Sequence, residues 1–551
     1  MNRRRFLGWP STAATPSQAP KGRPSQEATL KAAADVQTYT QPLSHEAARH
    51  LVTRTEFGAR LRRVNGFIGM TATEAVDFIL QEAEENALPE APSWYKNKDE
   101  GGTDEIYDLQ KDWMWRMKEK GFIERMTYFL HNHLVTGYSV YGAAYHAYTY
   151  YKLLRTHALG NFKDLVHKIG MDPAMLYYLD NNSNVPTSDE NGNPAGSNEN
   201  YARELLELFT MGQYYDFNGS LNYTEGDIKQ IARVLTGWFV DETRLRTETS
   251  GERHDAGNKT IWGETFTGSG DPQVEYDKLI DLLFEKRSRQ IAHYLCKKMY
   301  VFFIDPVPDE AFINELAIVF ESNDFELKPV LHTLLTSQRF FDAQCFGCRI
   351  KSPTDFLIGF LNETETAPSD SVLEYMRQQL EPANLAQELF EPPNVAGWPG
   401  INPPNSAGTP GDEMWLTTSL LPERWNVIAD LTSGAAGSFD PLEVAIRVSD
   451  PANPFKIAED LARTFVPIPL DVASIREVGD DFAGDPDRQP PQDVLDDPII
   501  SNMSKVMLGD MPHYEWPDLI DGSSTEKETA RIVLQHYIAL LSRELPEYQL
   551  H

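Results

Sequence analysis

The chain has 551 residues, with 50 basic and 82 acidic side chains and a formal net charge of −32 at pH 7. This excess of negative charge argues against nucleic acids and anionic membrane surfaces as partners. No run of residues reaches the roughly 18 apolar side chains that a membrane-spanning helix needs. The helical periods along the chain predict a mainly α fold, a multi-helix globular core with a small β-hairpin insertion and long irregular loops.

The first 38 residues predict a disordered tail or a degenerate export signal. Arg3-Arg4-Arg5-Phe6-Leu7 resembles a twin-arginine motif. The apolar stretch of a signal peptide does not follow, because residues 8–24 are rich in Pro, Ser, Thr and Ala. The expected location is the periplasm or the extracellular space, with the cytoplasm as the alternative.

Residues 39–430 are predicted to form an α-helical core domain. Ser44 is a suitable N-cap for its first helix, and Thr71 with Glu74 has the spacing of a capping box. Residues 431–551 are predicted to form an acidic, Pro-rich extension whose C-terminal helix packs on the core.

A long helix is predicted from about Asp104 to Val135, ending in His131-Asn132-His133. Positions i and i+2 of a helix lie about 200° apart. We therefore expect one histidine to face inward and the other to be exposed. A core or capping role is the more common one for such residues, since a helix C-terminus favours histidine; metal ligation is the alternative.

Tyrosines recur at helical spacing after this helix, at Tyr138, Tyr141, Tyr145 and Tyr148. This pattern predicts a packed helix interface with the hydroxyl groups bonded at its edge. A stacking platform for a sugar or a peptide is the alternative. Further along, the run of Asp and Asn that begins at Asp180 predicts turns, although its oxygen atoms would also suit Ca²⁺.

The stretch from Ser197 to Trp238 predicts a helical hairpin with one apolar and one acidic side. In its first helix, from about Asn200 to Met211, the side chains of Asn200, Glu204 and Glu207 share one face. Arg203 can pair with Glu207 at a spacing of four residues.

The starts of both hairpin helices carry capping residues. Ser197, Asn198 and Asn200 are possible N-caps of the first helix, and Glu199 suits its positive end. In the second helix, Thr224 and Asp227 resemble a capping box.

The acidic side of the hairpin has two interpretations. One is a set of capping and ion-paired residues. The other places Glu204 or Glu207 in a polar cleft as a metal ligand or general base, because carboxylates on one helix face are a common way to build oxygen-rich metal sites.

A short β-hairpin with a polar loop is predicted after Trp238, and this loop contains His254 and Asp255. A loop histidine beside an aspartate can act as a base or a ligand, which makes the pair a second candidate for chemistry.

The motifs of several common cofactors are missing. The single CxxC at Cys345 and Cys348 lacks the following histidine of a haem attachment site and a second pair for zinc, so it predicts a local disulfide or two ordinary thiols. The sequence has no P-loop, dinucleotide fingerprint, GxSxG or HExxH motif. We expect no nucleotide and no haem.

Several strings along the chain resemble the bacterial family called domain of unknown function 1800. They are TEFG, FLHNHLVTG, LGNFKDLV, DPAMLYYLD, NENYARELLELFTMG, YTEGDI…ARVLTGW, HDAGNKTIWG, LFEPPNVAGWPG and LPEYQ. The resemblance implies a mainly α-helical and commonly exported protein. It also implies an exported, sulfatase-like partner of the domain of unknown function 1501 family, and it carries no established reaction.

The recurrent polar positions of that family match a defined set of residues in this chain. They are His131, Asn132, His133, Asp180, Asn198, Glu199, Asn200, Arg203, Glu204, Glu207, Glu225, Asp227, His254 and Asp255.

Two functional hypotheses follow. The first is a non-catalytic binding or assembly protein of the cell envelope that acts with a partner, its polar residues forming hydrogen-bond networks and ion pairs at helix ends. Its binding residues would be Asn198, Glu199, Asn200 and Arg203. The second is a metal-assisted hydrolase with a site at helix ends, using Ca²⁺ or a transition metal. Its catalytic candidates are His133, Glu204, Glu207, His254 and Asp255, and its metal candidates are His131, His133, Glu204 and Asp180.

Overall fold

A computed structural model describes residues 36–86, 88–95, 102–188, 194–215, 219–404, 408–437, 439–467 and 482–551. The described residues confirm the predicted mainly α fold. The first twelve α-helices are α1 His45–Thr55, α2 Leu61–Phe67, α3 Ala72–Glu85, α4 Thr103–Lys120, α5 Phe122–His133, α6 Tyr138–Tyr141, α7 Ala144–Thr156, α8 Phe162–Ile169, α9 Pro173–Tyr178, α10 Asn200–Glu207, α11 Glu225–Val234 and α12 Pro272–Lys286.

The second half of the chain continues in the same way. Its helices are α13 Ser288–Phe303, α14 Glu310–Ser322, α15 Leu327–Thr336, α16 Pro353–Glu363, α17 Asp370–Gln379, α18 Leu420–Ser433, α19 Pro441–Ala445, α20 Pro454–Phe465, α21 Gln492–Asp496, α22 Pro498–Leu508, α23 Trp516–Asp521 and α24 Ser524–Ala539.

The strands among the described residues form two-stranded antiparallel sheets. Their bounds are β1 Thr187–Ser188, β2 Pro194–Gly196, β3 Tyr214–Tyr215, β4 Ser220–Leu221, β5 Trp238–Asp241, β6 Arg246–Thr249, β7 Lys259–Ile261 and β8 Glu264–Phe266. The predicted insertion after Trp238 is confirmed, and it contains the β5–β6 and β7–β8 hairpins.

The predicted helix starts on short capping motifs are confirmed. Ser44 accepts a hydrogen bond from the backbone of Ala47, and Thr71 forms a reciprocal capping box with Glu74. Thr224 forms the same arrangement with Asp227 at the start of α11. These bonds involve residues three apart in sequence, so the local pattern determines them.

The prediction of one helix from Asp104 to Val135 is wrong. The chain breaks at Gly121, which has a positive φ of 56° and separates α4 from α5. A Cβ atom at this position would stand 3.4 Å from Cγ of Glu56, so the break also brings the helix junction against the end of α1. Apolar side chains continue in helical register past the break, and for this reason the periodicity did not reveal it.

The four spaced tyrosines do not lie on one continuous helix. Gly142 adopts a left-handed conformation that ends α6, so Tyr138 and Tyr141 belong to α6, and Tyr145 and Tyr148 belong to α7. Tyr148 is buried, whereas the other three are partly exposed. The spacing was helical by coincidence across a turn.

One apolar core extends from Leu43, just before α1, to Leu550 near the end of the chain. The C-terminal region is joined to it by backbone bonds, since Lys351 donates to the carbonyl of Gln549 at 2.8 Å. Helix α24 packs against α18, α19, α22 and α23. The division into domains at residue 430 stays a prediction.

Two sequence predictions concern the twin-arginine-like motif and the CxxC pair. The twin-arginine-like residues 3–7 lie outside the described residues. Cys345 and Cys348 are free thiols, and Sγ of Cys348 accepts a hydrogen bond from Arg54 at 3.2 Å. Within the described ranges, no helix has both the length and the apolarity needed to cross a membrane.

Candidate functional site

The first two residues of the His131-Asn132-His133 sequence hold the distant loop 389–402 in place. The backbone N–H of Phe390 donates to Nε2 of His131 at 3.2 Å. Since that nitrogen accepts, the Nδ1–H donates to the hydroxyl of Tyr150 at 3.0 Å. The side-chain oxygen of Asn132 accepts from the backbone N–H of Trp398 at 2.7 Å. These bonds join the FLHNH and LFEPPNVAGWPG sequences.

His133 faces a different part of the molecule. Its Nε2–H donates to the carbonyl of Phe209 at 3.0 Å, while its Nδ1 accepts from the ammonium group of Lys298 at 3.2 Å. Burial, and then the charge of Lys298, lower the pKa of His133 well below its usual value, so the imidazole is neutral. Burial lowers the pKa of Lys298 to about 7.

The expectation that one of the two histidines is exposed is wrong. His131 and His133 are both buried. Helix α5 lies inside the molecule, and its two sides are covered by different elements, so side chains on opposite sides are both removed from water. Burial lowers the pKa of His131 to about 3, which keeps this residue neutral as well.

Arg203 is surrounded by carboxylates. It forms two hydrogen bonds with Glu225, at 3.0 and 2.9 Å, and lies 3.4 Å from Glu199. The predicted pair with Glu207 is confirmed at 3.5 Å, and the hydroxyl of Tyr223 donates to the same carboxylate. This ion-pair group connects the start of α10 to the start of α11.

The predicted N-caps of α10 require a correction. The capping position is Glu199, which makes no side-chain capping bond, because its backbone is already in a helical conformation. Asn198 instead accepts from the backbone N–H of Asn200 at 2.9 Å, and its own N–H donates to Asn184 at 2.8 Å. The side-chain amide of Asn198 donates to the carbonyl of Asp180 at 3.5 Å. Asp180 itself is exposed and has a positive φ of 56°.

His254 and Asp255 point to different surroundings. Asp255 forms a two-point ion pair with Arg233, at 2.7 and 3.0 Å. His254 is buried; its Nε2 lies 3.3 Å from the carboxylate of Glu275, which also receives a hydrogen bond from Lys259. Asp255 is partly exposed beside α11. His254 instead belongs to a buried group of charged residues that it forms with Lys259 and Glu275.

Glu204 belongs to a group that sequence reasoning did not assemble. We name it the Glu–Tyr cluster; its members are Tyr178 and the two carboxylates whose charges act on its hydroxyl group, Glu391 and Glu204. Glu391 is held in place by Ser139, which donates its backbone N–H at 2.8 Å and its hydroxyl at 2.5 Å. Burial, followed by the charges of Glu391 and Glu204, raises the pKa of Tyr178 to about 12.

The Glu–Tyr cluster depends on a glycine at position 137. A Cβ atom there would stand 3.1 Å from the ring of Tyr178 and 3.5 Å from the carboxylate of Glu391. A larger residue would therefore crowd both side chains. The cluster thus brings together four of the strings that carried the family resemblance, which supply Gly137, Tyr178, Glu204 and Glu391.

Glu204 itself is partly exposed, and its carboxylate forms no ion pair with a Lys or Arg of the described residues. The charge of Arg203 lowers its pKa only slightly. Burial, and then the neighbouring charge of Glu207, raise its pKa. A carboxylate with a raised pKa beside a tyrosine and a second carboxylate can exchange a proton or receive a cation.

Replacing Glu204 with Gln is expected to stabilise the protein at pH 7. A carboxyl group whose pKa is raised on folding binds its proton more tightly in the folded state, so the charged form costs stability. The cost is fully present above the folded pKa and disappears as the pH falls below the unfolded value of 4.5. Thermal unfolding of the variant should therefore show a higher midpoint at pH 7 and no gain at pH 4.

The matched control for this experiment is Glu207→Gln on the same helix. Glu207 accepts a hydrogen bond from Tyr223 and forms an ion pair with Arg203. Its replacement should therefore lower the midpoint at pH 7. A Glu204→Gln variant that is less stable than the wild type at pH 7 would contradict our account of Glu204.

Sequence reasoning missed Tyr178, Glu391, Lys259 and Glu275. The first three lie inside strings that carry the resemblance, but no spacing rule linked them to Glu204 or His254. The described residues contain no group of three or more His, Cys, Asp or Glu side chains arranged to hold a metal ion. The metal ligands named from the sequence stay predictions.

Comparison with known proteins gives one match. A family model described as "Protein of unknown function (DUF1800)" matches residues 50–550. No curated protein and no solved structure matches the chain. The match covers nearly the whole chain and includes every residue of the Glu–Tyr cluster.

Proposed function

The chain belongs to the DUF1800 family of proteins of unknown function, and for this member we propose a non-catalytic role as an exported binding or assembly protein of the cell envelope. The observation that carries the proposal is that the side chains of the central motif residues bond to backbone groups of the protein itself. Hydrogen bonds join the side chains of His131, Asn132 and His133 to the backbones of Phe390, Trp398 and Phe209, respectively. Such residues act as a scaffold.

The scaffold supports a surface that combines tyrosines with carboxylates that form no ion pair with Lys or Arg in the described part of the chain. Glu204 and Glu391 belong to the Glu–Tyr cluster. A third carboxylate, Glu242, accepts hydrogen bonds from the hydroxyl groups of Tyr145 and Tyr177, and Tyr177 is next to Tyr178 in sequence. In the part of the chain that the structure describes, Glu204, Glu242 and Glu391 form no ion pair with Lys or Arg, although His146 lies 3.5 Å from Glu242.

This composition favours a partner that presents basic side chains. Tyrosine rings and carboxylates both attract Lys and Arg, by cation–π and charge interactions respectively. The overall charge of −32 adds a long-range attraction for a basic surface. Export and a sulfatase-like partner of the domain of unknown function 1501 family rest on the family resemblance and on the arginines at positions 3–5.

The proposal is tested by titrating the purified protein with an exported sulfatase-like protein from the same organism, using calorimetry at two salt concentrations. We expect binding that weakens in high salt, because exposed charges are screened. The double variant Glu204→Gln with Glu391→Gln should bind more weakly than the wild type. The control is Glu528→Gln, at an exposed position on α24, which should bind as the wild type does.

Two outcomes would contradict the proposed role. One is the absence of binding by a wild-type protein that is folded. The other is an affinity that the double variant leaves unchanged, because the Glu–Tyr cluster would then lie outside the interface.

A second function, a metal-assisted hydrolase, is favoured by one observation. Glu204 is a partly exposed carboxylate whose pKa is raised by burial and by the charge of Glu207, and its own charge acts on Tyr178; this is a suitable setting for proton transfer. Elemental analysis of protein purified without chelators tests this alternative. A stoichiometric metal that is lost in Glu204→Gln and in His133→Ala would support the hydrolase over the binding role.

A further inference from the structure

A second polar site lies far along the chain from the Glu–Tyr cluster, where α1 and α2 meet the junction of α4 and α5. It is a cavity of about 320 Å³. Its lining includes Glu56, Arg60, Arg63, Glu82, Lys120 and Gly121. This volume falls within the range of small-molecule sites.

Glu56 leaves one oxygen atom unsatisfied at this cavity. The residue is only 3 % exposed, and its Oε1 accepts a hydrogen bond from Arg63 at 2.8 Å. Its Oε2 is buried and has no hydrogen-bond donor. Nη2 of Arg60 stands 3.7 Å from this oxygen and is therefore too distant for a hydrogen bond.

A hydrogen-bond donor of Arg60, which also lines the cavity, lacks an acceptor. Nε of Arg60 is buried and has no acceptor, while Nη2 of the same guanidinium group donates to the carbonyl of Lys118. The ammonium group of Lys120, also in the lining, is partly exposed and forms no ion pair or hydrogen bond with any residue that the structure describes. A buried polar atom without a partner costs free energy, so a site that holds one acceptor and one donor in this state suits a bound molecule.

We propose that this cavity binds a small polyhydroxylated molecule, a monosaccharide or a sugar alcohol. A hydroxyl group can donate to Oε2 of Glu56 and accept from Nε of Arg60, because it is both a donor and an acceptor. A second hydroxyl on the same molecule accepts from Lys120. The lining holds four carboxylates and three cations, so a neutral ligand brings no additional charge into a nearly balanced site.

Backbone geometry keeps the cavity open above Glu56. Gly121 closes one side with a positive φ of 56° and has no side chain to occupy the space. Glu56 follows the last residue of α1 and belongs to the TEFG string. The proposal concerns a site separate from the Glu–Tyr cluster and does not depend on the proposed partner.

Ligand-observed saturation-transfer NMR on the full chain tests this site. The probes are methyl α-glucopyranoside, N-acetylglucosamine and myo-inositol, with glycine as a zwitterionic comparison. We expect saturation transfer to at least one polyol and none to glycine. Absence of transfer to all three polyols would overturn the proposal, and transfer to glycine alone would replace the polyol with a zwitterion.

Substitutions of lining residues test whether the polyol binds in this cavity. Lys120→Met removes one donor at a partly exposed position and should weaken binding of the responding polyol about tenfold, the loss expected for one charged hydrogen bond. Glu56→Gln should weaken it further. Lys152→Met, at an exposed position on α7, is the matched control and should bind as the wild type does. Unchanged binding in Lys120→Met, with circular dichroism showing that it is folded, would also overturn the proposal.

Discussion

Replacing Glu275 with Gln is expected to lower the free energy of unfolding at pH 7 by about 3–5 kcal/mol, the usual cost of breaking a buried ion pair. Glu275 and Lys259 are both fully buried and bonded to each other, and His254 lies 3.3 Å from the same carboxylate. The amide side chain would leave the ammonium group of Lys259 without a counter-charge inside the protein. Urea denaturation of both proteins measures the loss.

The pH dependence of this loss gives a second test. Burial alone would raise the pKa of Glu275, but hydrogen bonds from Lys259 and the backbone of Ser269 hold it below its usual value. A carboxylate with a depressed pKa contributes stability above the unfolded value of 4.5 and loses it as the pH falls through the folded pKa. The difference between wild type and variant should therefore shrink below pH 4.5.

Helix α12 supplies the matched control. Glu285 lies on the same helix, is exposed, and stands 3.4 Å from Lys286. Exposed pairs of this kind contribute about 0–1 kcal/mol, so Glu285→Gln should unfold close to the wild-type midpoint. A Glu275→Gln variant as stable as Glu285→Gln would show that the buried cluster is not a net source of stability.

The parts of the fold that the sequence predicts well depend on residues close together in the chain. The capping boxes at Thr71 and Thr224 connect residues three apart, and the hairpins after Trp238 connect strands separated by short turns. Helical periodicity predicted the mainly α fold for the same reason. A break inside a helical pattern is different, because Gly121 costs only about 1 kcal/mol within a helix. Its contact with Glu56, 65 positions earlier, cannot be seen in the periodicity.

The candidate site could be predicted only one residue at a time. Glu204 stood out because helix spacing placed it beside Glu207, and Arg203 stood out as the partner of a carboxylate four residues later. Tyr178 and Glu391 join Glu204 only through folding, since they lie on α9 and in the loop after α17. The exposure of His131 and His133 was also misjudged, because it depends on which elements cover both sides of α5 and not on the helix itself.

Replacing Gly397 with Ala is expected to destabilise the protein by about 2–5 kcal/mol. An L-residue in the left-handed region costs about 1–2 kcal/mol, and overpacking typically adds about 1–3 kcal/mol. Gly397 has a φ of +81°, and a Cβ atom there would overlap the side-chain oxygen of Asn132 and stand 2.6 Å from its backbone oxygen. The variant would push the loop that carries Phe390 and Glu391 away from α5.

Gly69→Ala separates the two costs of this substitution. Gly69 has a φ of +84°, nearly the same as Gly397, and no atom lies within 4 Å of a Cβ built on it. It should lose only the conformational part, about 1–2 kcal/mol. Thermal unfolding should therefore rank wild type above Gly69→Ala and Gly69→Ala above Gly397→Ala. Equal midpoints for the two variants would mean that the close approach of the loop to Asn132 does not contribute to stability. The link between the FLHNH and LFEPPNVAGWPG sequences would then no longer explain how Glu391 reaches Tyr178.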